Sequence, residues 1–149
     1  MRQSSKNQSD PPLKIVVDTN LYLSLFVFRS AMLHHIFELV TDEKLTLYTS
    51  ATQLTELKRK FIELAVKPEV QERVLFFIKA KAILLDPAIA VKASRDRADN
   101  FLLELSEAAS ADYLITRDND LLVLKHWKDT IMLMPEDFLP LVRTMSLLD

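Results

Sequence analysis

At 149 residues, 49% of them apolar, the chain is long enough for one domain with its own core, and 19 basic against 21 acidic residues give it no global pull on a polyanion. It has no cysteine, which excludes disulfides and thiolate metal sites and fits a cytoplasmic location; its longest apolar run, Val74 to Ile78, falls far short of the roughly 20 residues of a membrane-spanning helix. It also has no glycine, which excludes the dinucleotide-binding and P-loop motifs whose backbones must approach phosphate closely, so turns are expected to rely on Asp, Asn, Ser and six prolines.

Residues 1–12 are polar and read as a disordered leader, 13–144 as a single domain, and 145–149 as a short tail. Leu13 to Val17 reads as the first strand. Asn20 to Phe28 and Ser30 to Val40 read as apolar helices, the second capped by Ser30. Leu45 to Tyr48 is a short strand, and Ser50 caps a long helix through Leu64. Pro68 opens an amphipathic helix to Lys79, with Val70, Val74, Phe77 and Ile78 on one side. Ile83 to Leu85 is a third strand, Asp96 caps a helix to Ala109, and Tyr113 to Ile115 is a fourth strand. A short helix follows from Asp118 to Lys125, then a fifth strand, Thr130 to Met134, and a last helix from Pro135 to Arg143. Strands alternating with helices define an α/β fold, expected as a three-layer α/β/α sandwich around a mostly parallel sheet of about five strands.

Two strand ends deliver carboxylates. Asp18 follows the first strand and leads into Thr19-Asn20; Tyr113-Leu114-Ile115 runs into Thr116-Arg117-Asp118-Asn119-Asp120. Open α/β sheets build their sites just outside the carboxyl ends of their strands, and clustered carboxylates suit hard cations such as Mg²⁺ or Mn²⁺. Each acid also has a plainer explanation. Asp18 and Asp118 could simply cap the helices that follow them, and Asp99 would sit at N3 of a helix capped by Asp96. Glu56 borders the stripe of Leu54, Leu57, Phe61 and Leu64, where a charged helix residue is usually solvated. His34, His35 and His126 show no ligand spacing with the acids, and Trp127 reads as core or rim. Lys58, Arg59, Lys60, Arg95, Arg97 and Arg117 flank the acids, either as a solvated face or as a rim for phosphate.

Taken together, four segments resemble the PIN-domain family of metal-dependent nucleases, in particular its toxin-like, VapC-type branch. They are Val16-Val17-Asp18-Thr19-Asn20 with Ser24 one turn on, Ser50 to Leu57 with Glu56, Arg95 to Asn100 with Asp99 leading into Phe101-Leu102, and Ala111 to Leu122 with Asp118. The likeness runs from about Leu13 to Leu139. It departs from the branch in having Arg97 where proline is usual, Arg117 where glycine is usual, and Ala109-Ser110 where glycine tends to follow the helix.

The resemblance implies a ribonuclease in which Asp18, Glu56, Asp99 and Asp118, with Asp120 as a helper, hold one or two Mg²⁺ or Mn²⁺ ions. It places Thr19, Asn20, Ser24, Asn100, Thr116 and Arg117 where they would orient the acids or the RNA phosphate. It also implies a small antitoxin partner. The apolar first helices, with Leu21, Leu23, Phe26 and Phe28, offer a homodimer surface or belong to the core. The rival from another class is a catalytically silent RNA- or protein-binding scaffold of the same fold. A phosphoacceptor receiver domain fits poorly because no middle strand ends on an acceptor Asp. A haloacid-dehalogenase-type phosphatase lacks the second Asp two residues after Asp18.

Overall fold

The computed structural model describes residues 10–87 and 100–145. Its centre is β1 (Leu13–Val17), whose apolar run is buried on both faces: Ile15, Val16 and Val17 are fully inaccessible. Such a strand needs a neighbour on each edge and a helical layer above and below. It has both. β2 (Leu45–Thr49) pairs parallel on one edge and β4 (Tyr113–Ile115) parallel on the other. Outside them lie β3 (Ala82–Leu84), parallel to β2, and β6 (Thr130–Leu133), parallel to β4, with β5 (His126–Trp127) antiparallel on the far edge. The order is β3-β2-β1-β4-β6-β5.

Period-two alternation sorts the strand side chains between two cores. Ile15, Val17, Leu45, Leu47 and Ile115 face one layer, formed by α1 (Thr19–Phe26), α2 (Ala31–Thr41), α3 (Ala51–Glu63), α4 (Pro68–Lys81) and α7 (Pro135–Thr144). Val16, Leu114 and Met132 face α5 (Asn100–Ala109) and α6 (Asn119–Leu122). The three-layer α/β/α sandwich read from the sequence is therefore the observed fold. None of the described helices is by itself long and apolar enough to cross a membrane.

The differences are local. Among the described residues the sheet has six strands, not about five, because the stretch assigned to a helix as far as Lys125 stops at Leu122 and turns into β5. A two-residue strand has no alternation to read. Met145, placed in the tail, caps α7 and packs against the first core. Leu21 and Leu23 are buried there too and Phe26 packs against the same core, so of the four residues offered for a dimer surface only Phe28, beyond the end of α1, is exposed, at 69%. The leader residues 1–9, the Asp96 cap and Asp99 lie outside the described residues.

Glycine's absence is met in a way its turn chemistry did not suggest. Left-handed backbone falls on Arg29, Glu43, Ala65, Ser110, Lys125 and Lys128, so only one of these positions uses a residue from the expected Asp, Asn and Ser set. Glu43, Ala65 and Ser110 each follow a helix, where paired reverse bonds close the last turn: Ala65 N–H to the Ile62 carbonyl with Val66 to Phe61, and Ser110 to Glu107 with Ala111 to Ser106. A side chain at such a position costs about 1–2 kcal/mol, offset in part by glycine's greater unfolded entropy. Ser110→Gly, at an exposed site, is expected to stabilise the protein by about 0.5–1 kcal/mol, a gain of about 1–4 °C in a thermal melt. An unchanged or lower Tm would contradict the strain argument.

The Tyr22 hydroxyl offers a second check on packing. The ring is fully buried 5.3 Å from that of Phe37, and its oxygen has no hydrogen-bond partner among the described residues. Burial alone drives its pKa far above the ordinary tyrosine value. An unpaired buried hydroxyl costs about 1–3 kcal/mol. Tyr22→Phe should accordingly be neutral or stabilising by about 1 kcal/mol in denaturant titration, whereas a clear loss would reveal a hidden partner for the hydroxyl.

Candidate functional site

From β1 the chain crosses to β2 on one side, while from β4 it crosses to β6 on the other. The connections from the two central strands therefore leave in opposite directions at the strands' carboxyl ends, where an open α/β sheet leaves a crevice. The acids sit at that point. The Asp18 amide still donates to the Ile115 carbonyl at 2.9 Å, continuing the β1–β4 ladder by one residue. The next residues leave the sheet: Asp18 becomes the N-cap of α1, its Oδ1 accepting from the Asn20 amide at 3.4 Å. Asp118 is likewise the N-cap of α6, its Oδ1 accepting from the Asp120 amide at 2.9 Å.

Thr116 joins the two. Its buried hydroxyl donates to Asp18 Oδ2 at 2.6 Å and accepts from the Asp118 amide at 3.0 Å. Helix capping is thus real at both positions, yet it does not use up the carboxylates: Asp118 Oδ2 has no protein donor among the described residues. Burial pushes the Asp18 carboxyl above the ordinary carboxylate range. The Thr116 and Asn20 bonds pull it down, the Asp118 charge pushes it up again, and Lys60 pulls it down a little.

The other expected residues divide. Thr19 is buried, its Oγ1 3.5 Å from the Gln53 amide nitrogen, and Asn20 is exposed beside Asp18. Asn100 is buried at the start of α5, and Asp120 is half-buried behind Asp118. Three residues are engaged elsewhere. Ser24 donates to the Asn20 carbonyl at 3.2 Å, inside its own helix. Arg117 Nε is held by both oxygens of Glu136, at 3.1 and 3.3 Å, and this hydrogen bond keeps the Glu136 carboxyl below its usual range. The Glu56 carboxylate is gripped by Arg59, with Nε at 3.1 Å, and is lowered mainly by that bond. Among the described residues, no three or more His, Asp or Glu side chains form a group placed to hold a metal.

The donor chemistry nonetheless fits a hard divalent cation. Asp18 and Asp118 repel each other across a shared threonine, and one of them is desolvated. All the donors are oxygens, and a positive ion would offset both the burial cost and the repulsion.

One residue with a positioning role was not singled out from the sequence. Gln53 is completely buried; its Nε2 donates to the Val17 carbonyl at 2.6 Å and its Oε1 accepts from the Thr49 hydroxyl at 2.7 Å. It ties the ends of β1 and β2 to α3 just below Asp18. The Ser50-x-x-Gln53 spacing was a legible signal, because it matches a capping box. Ser50 does cap through the Gln53 amide at 3.1 Å, but the glutamine side chain reaches inward rather than back to Ser50.

A parallel sheet whose switch point carries two aspartates tied through one threonine hydroxyl, by a carboxylate in Asp18 and a backbone amide in Asp118, defines an α/β domain with an acidic, oxygen-lined site. The family model described as the PIN domain matches residues 14–120, and the chain belongs to the PIN-domain family, whose members are generally nucleases. An uncharacterized protein of Methanocaldococcus jannaschii is 26% identical over 118 residues, covering 76% of each chain. Among solved structures, VapBC2 from Rickettsia felis, bound to a DNA fragment from their promoter, matches with a TM-score of 0.61 at 14% identity, over 82% of this chain and 98% of that one. A protein from Pyrobaculum aerophilum matches with a TM-score of 0.58 at 18% identity, over 91% and 98%. FitAcB from Neisseria gonorrhoeae gives 0.51 at 16%, over 82% and 98%. At these identities the structural likeness concerns the fold.

Proposed function

We propose that this PIN-domain protein is a metal-dependent endoribonuclease that hydrolyses RNA phosphodiester bonds, and that it is the toxin of a type II toxin–antitoxin pair. The observation that carries the reading is the Asp18–Thr116–Asp118 arrangement at the adjoining strand ends, from which the connections leave in opposite directions. Asp18 and Asp118, joined by Asp99, Glu56 and Asp120, would hold Mg²⁺ or Mn²⁺. When bound, the ion supplies a Lewis acid for the phosphate and an activated water, so no side-chain nucleophile is needed. The chain's own work is positional. Thr116 fixes the Asp18 carboxylate and the start of α6 with one hydroxyl, while Gln53 fixes the backbone just before Asp18. Glu56 can join only by leaving Arg59; the pair is partly exposed, so solvent already screens it and exchange costs little.

The test is cleavage of generic RNA with Mn²⁺ by the wild type, Asp18→Asn and Asp99→Asn. Loss in both variants is expected; equal activity in all three removes the metal-site reading. The engagement of Glu56 by Arg59 favours a second reading, a silent RNA-binding scaffold. Calorimetric titration separates the two, since a scaffold keeps RNA affinity and binds no Mn²⁺.

The antitoxin proposal draws support from the fold likeness to VapBC2 and FitAcB and from a cleft of about 360 Å³ between α1, α2 and α4. Leu25, Phe26, Phe37 and Phe77 line it, with Arg29 and Arg73 at its sides and Glu38, paired with His34, also on its wall. Neither arginine has a carboxylate partner among the described residues, so the cleft suits an apolar segment carrying acidic residues.

A further inference from the structure

We propose that Lys60 is a substrate-contacting residue, its ammonium gripping a phosphate oxygen of the RNA strand beside Asp18 and Asp118; the inference rests on the ribonuclease reading above. The argument starts on α3. Residues three and four apart share a helix face, so Glu56, Arg59, Lys60 and Glu63 form one charged surface. Within it, Arg59 is spent: it bonds both Glu56 and Glu63. Lys60 is not. Its Nζ reaches across 40 positions of sequence to the Asn20 side-chain oxygen at 2.8 Å, two residues beyond Asp18. An ammonium has three donors; this contact uses one, and no carboxylate lies within 4 Å among the described residues.

Arg117, another of the cations offered as a rim for phosphate, is held by Glu136. Among the described residues, Lys60 is therefore a cation beside the acids that keeps free donors. It lies near enough to draw both the Asp18 and the Glu56 carboxyls downward. Its partner, a neutral amide, orients the ammonium without neutralising it. Exchange of that oxygen for a phosphate oxygen replaces an ordinary hydrogen bond with one between opposite charges. The site has need of such a group, since its carboxylates repel a phosphodiester and the chain as a whole carries a charge of −2.

The experiment follows the affinity for a short fluorescent single-stranded RNA against KCl concentration, in chelator so that nothing is cut, together with Mn²⁺-dependent steady-state kinetics. Each phosphate contact on a single strand contributes about 0.7 to the slope of log K against log salt. Lys60→Met is expected to lower that slope by about 0.7 and to raise KM several-fold, with kcat little changed. Lys60→Arg should restore the slope, and Lys79→Met, an exposed lysine in the last turn of α4, should leave it unchanged. A slope in Lys60→Met equal to the wild type overturns the proposal, as does an equal drop in Lys79→Met. If Lys60 merely ties α3 to α1, then Asn20→Ala and Lys60→Met will lose the same thermal stability with no change in slope, which also overturns it. RNA cleavage with an unchanged slope removes the Lys60 contact alone. A Lys60-dependent slope in a protein that never cleaves removes the ribonuclease reading and leaves the contact standing.

Discussion

Asp18→Asn is expected to reduce Mn²⁺-dependent RNA cleavage by about 10²–10⁴-fold while raising the thermal stability of the metal-free protein. The first effect follows from the several kcal/mol that a metal-bound transition state gains from its ligands, each 1.4 kcal/mol being about tenfold in rate. The second follows from burial. The folded Asp18 carboxyl titrates above the ordinary value of 3.8, chiefly because it is desolvated. In the interval between the two values the folded state holds the extra proton, so stability present below that interval is lost as pH rises through it. Asparagine carries no charge and escapes the loss.

The variant should therefore match the wild type in acid and exceed it at neutral pH, by about 2–4 °C in Tm for each kcal/mol recovered. Scanning fluorimetry in chelator at both pH values measures it. A variant that is less stable than the wild type at neutral pH would mean that Asp18 is held there by favourable bonds alone. If the metal-site proposal holds, added Mn²⁺ should then reverse the order, because Asp18 would be one of the ion's ligands.

Gln53→Leu is expected to be among the most damaging single substitutions in the protein. The side chain satisfies two buried groups, the Val17 carbonyl and the Thr49 hydroxyl, and lies within 3.5 Å of the Thr19 hydroxyl. Leucine fills a similar volume but leaves both groups unpaired, at about 1–3 kcal/mol each. A total near 2–6 kcal/mol would show as a fall of at least about 4 °C in Tm. Because Val17 immediately precedes Asp18, residual folded protein should also lose activity in excess of its lost stability. Gln53→Glu tests the polarity: a carboxylate facing the Val17 carbonyl has no proton to donate, so it should be at least as damaging as leucine in urea titration. A mild effect of both changes would show that the strand end is held by the sheet alone.

The order and type of the elements were legible because they follow from local chemistry. β1 needed only its apolar Ile15-Val16-Val17 stretch; α2 and α3 needed the serines that cap them, Ser30 and Ser50, and a 3.6-residue apolar stripe. The three-layer sandwich followed from alternation, since a strand buried on both faces calls for helices on both sides. Asp18 and Asp118 were found for the same reason: each is the residue, or nearly so, at which an apolar strand stops. β5 escaped because two residues carry no period, and the left-handed positions escaped because Arg29, Glu43 and Ala65 are unlike the residues that usually adopt that backbone.

What the sequence determined by itself was the fold class and the two strand ends that bear acids, because periodicity, capping and strand termination are written in neighbouring residues. What only the tertiary structure decided was how those side chains are spent. Thr116 shared between two aspartates 100 positions apart, Gln53 turned inward, Glu56 held by Arg59 while Lys60 reaches Asn20: each is a choice among partners of similar chemistry. Hydrogen-bond partners are selected by distances of about 3 Å, and distances between remote segments exist only once the sheet has set its strand order.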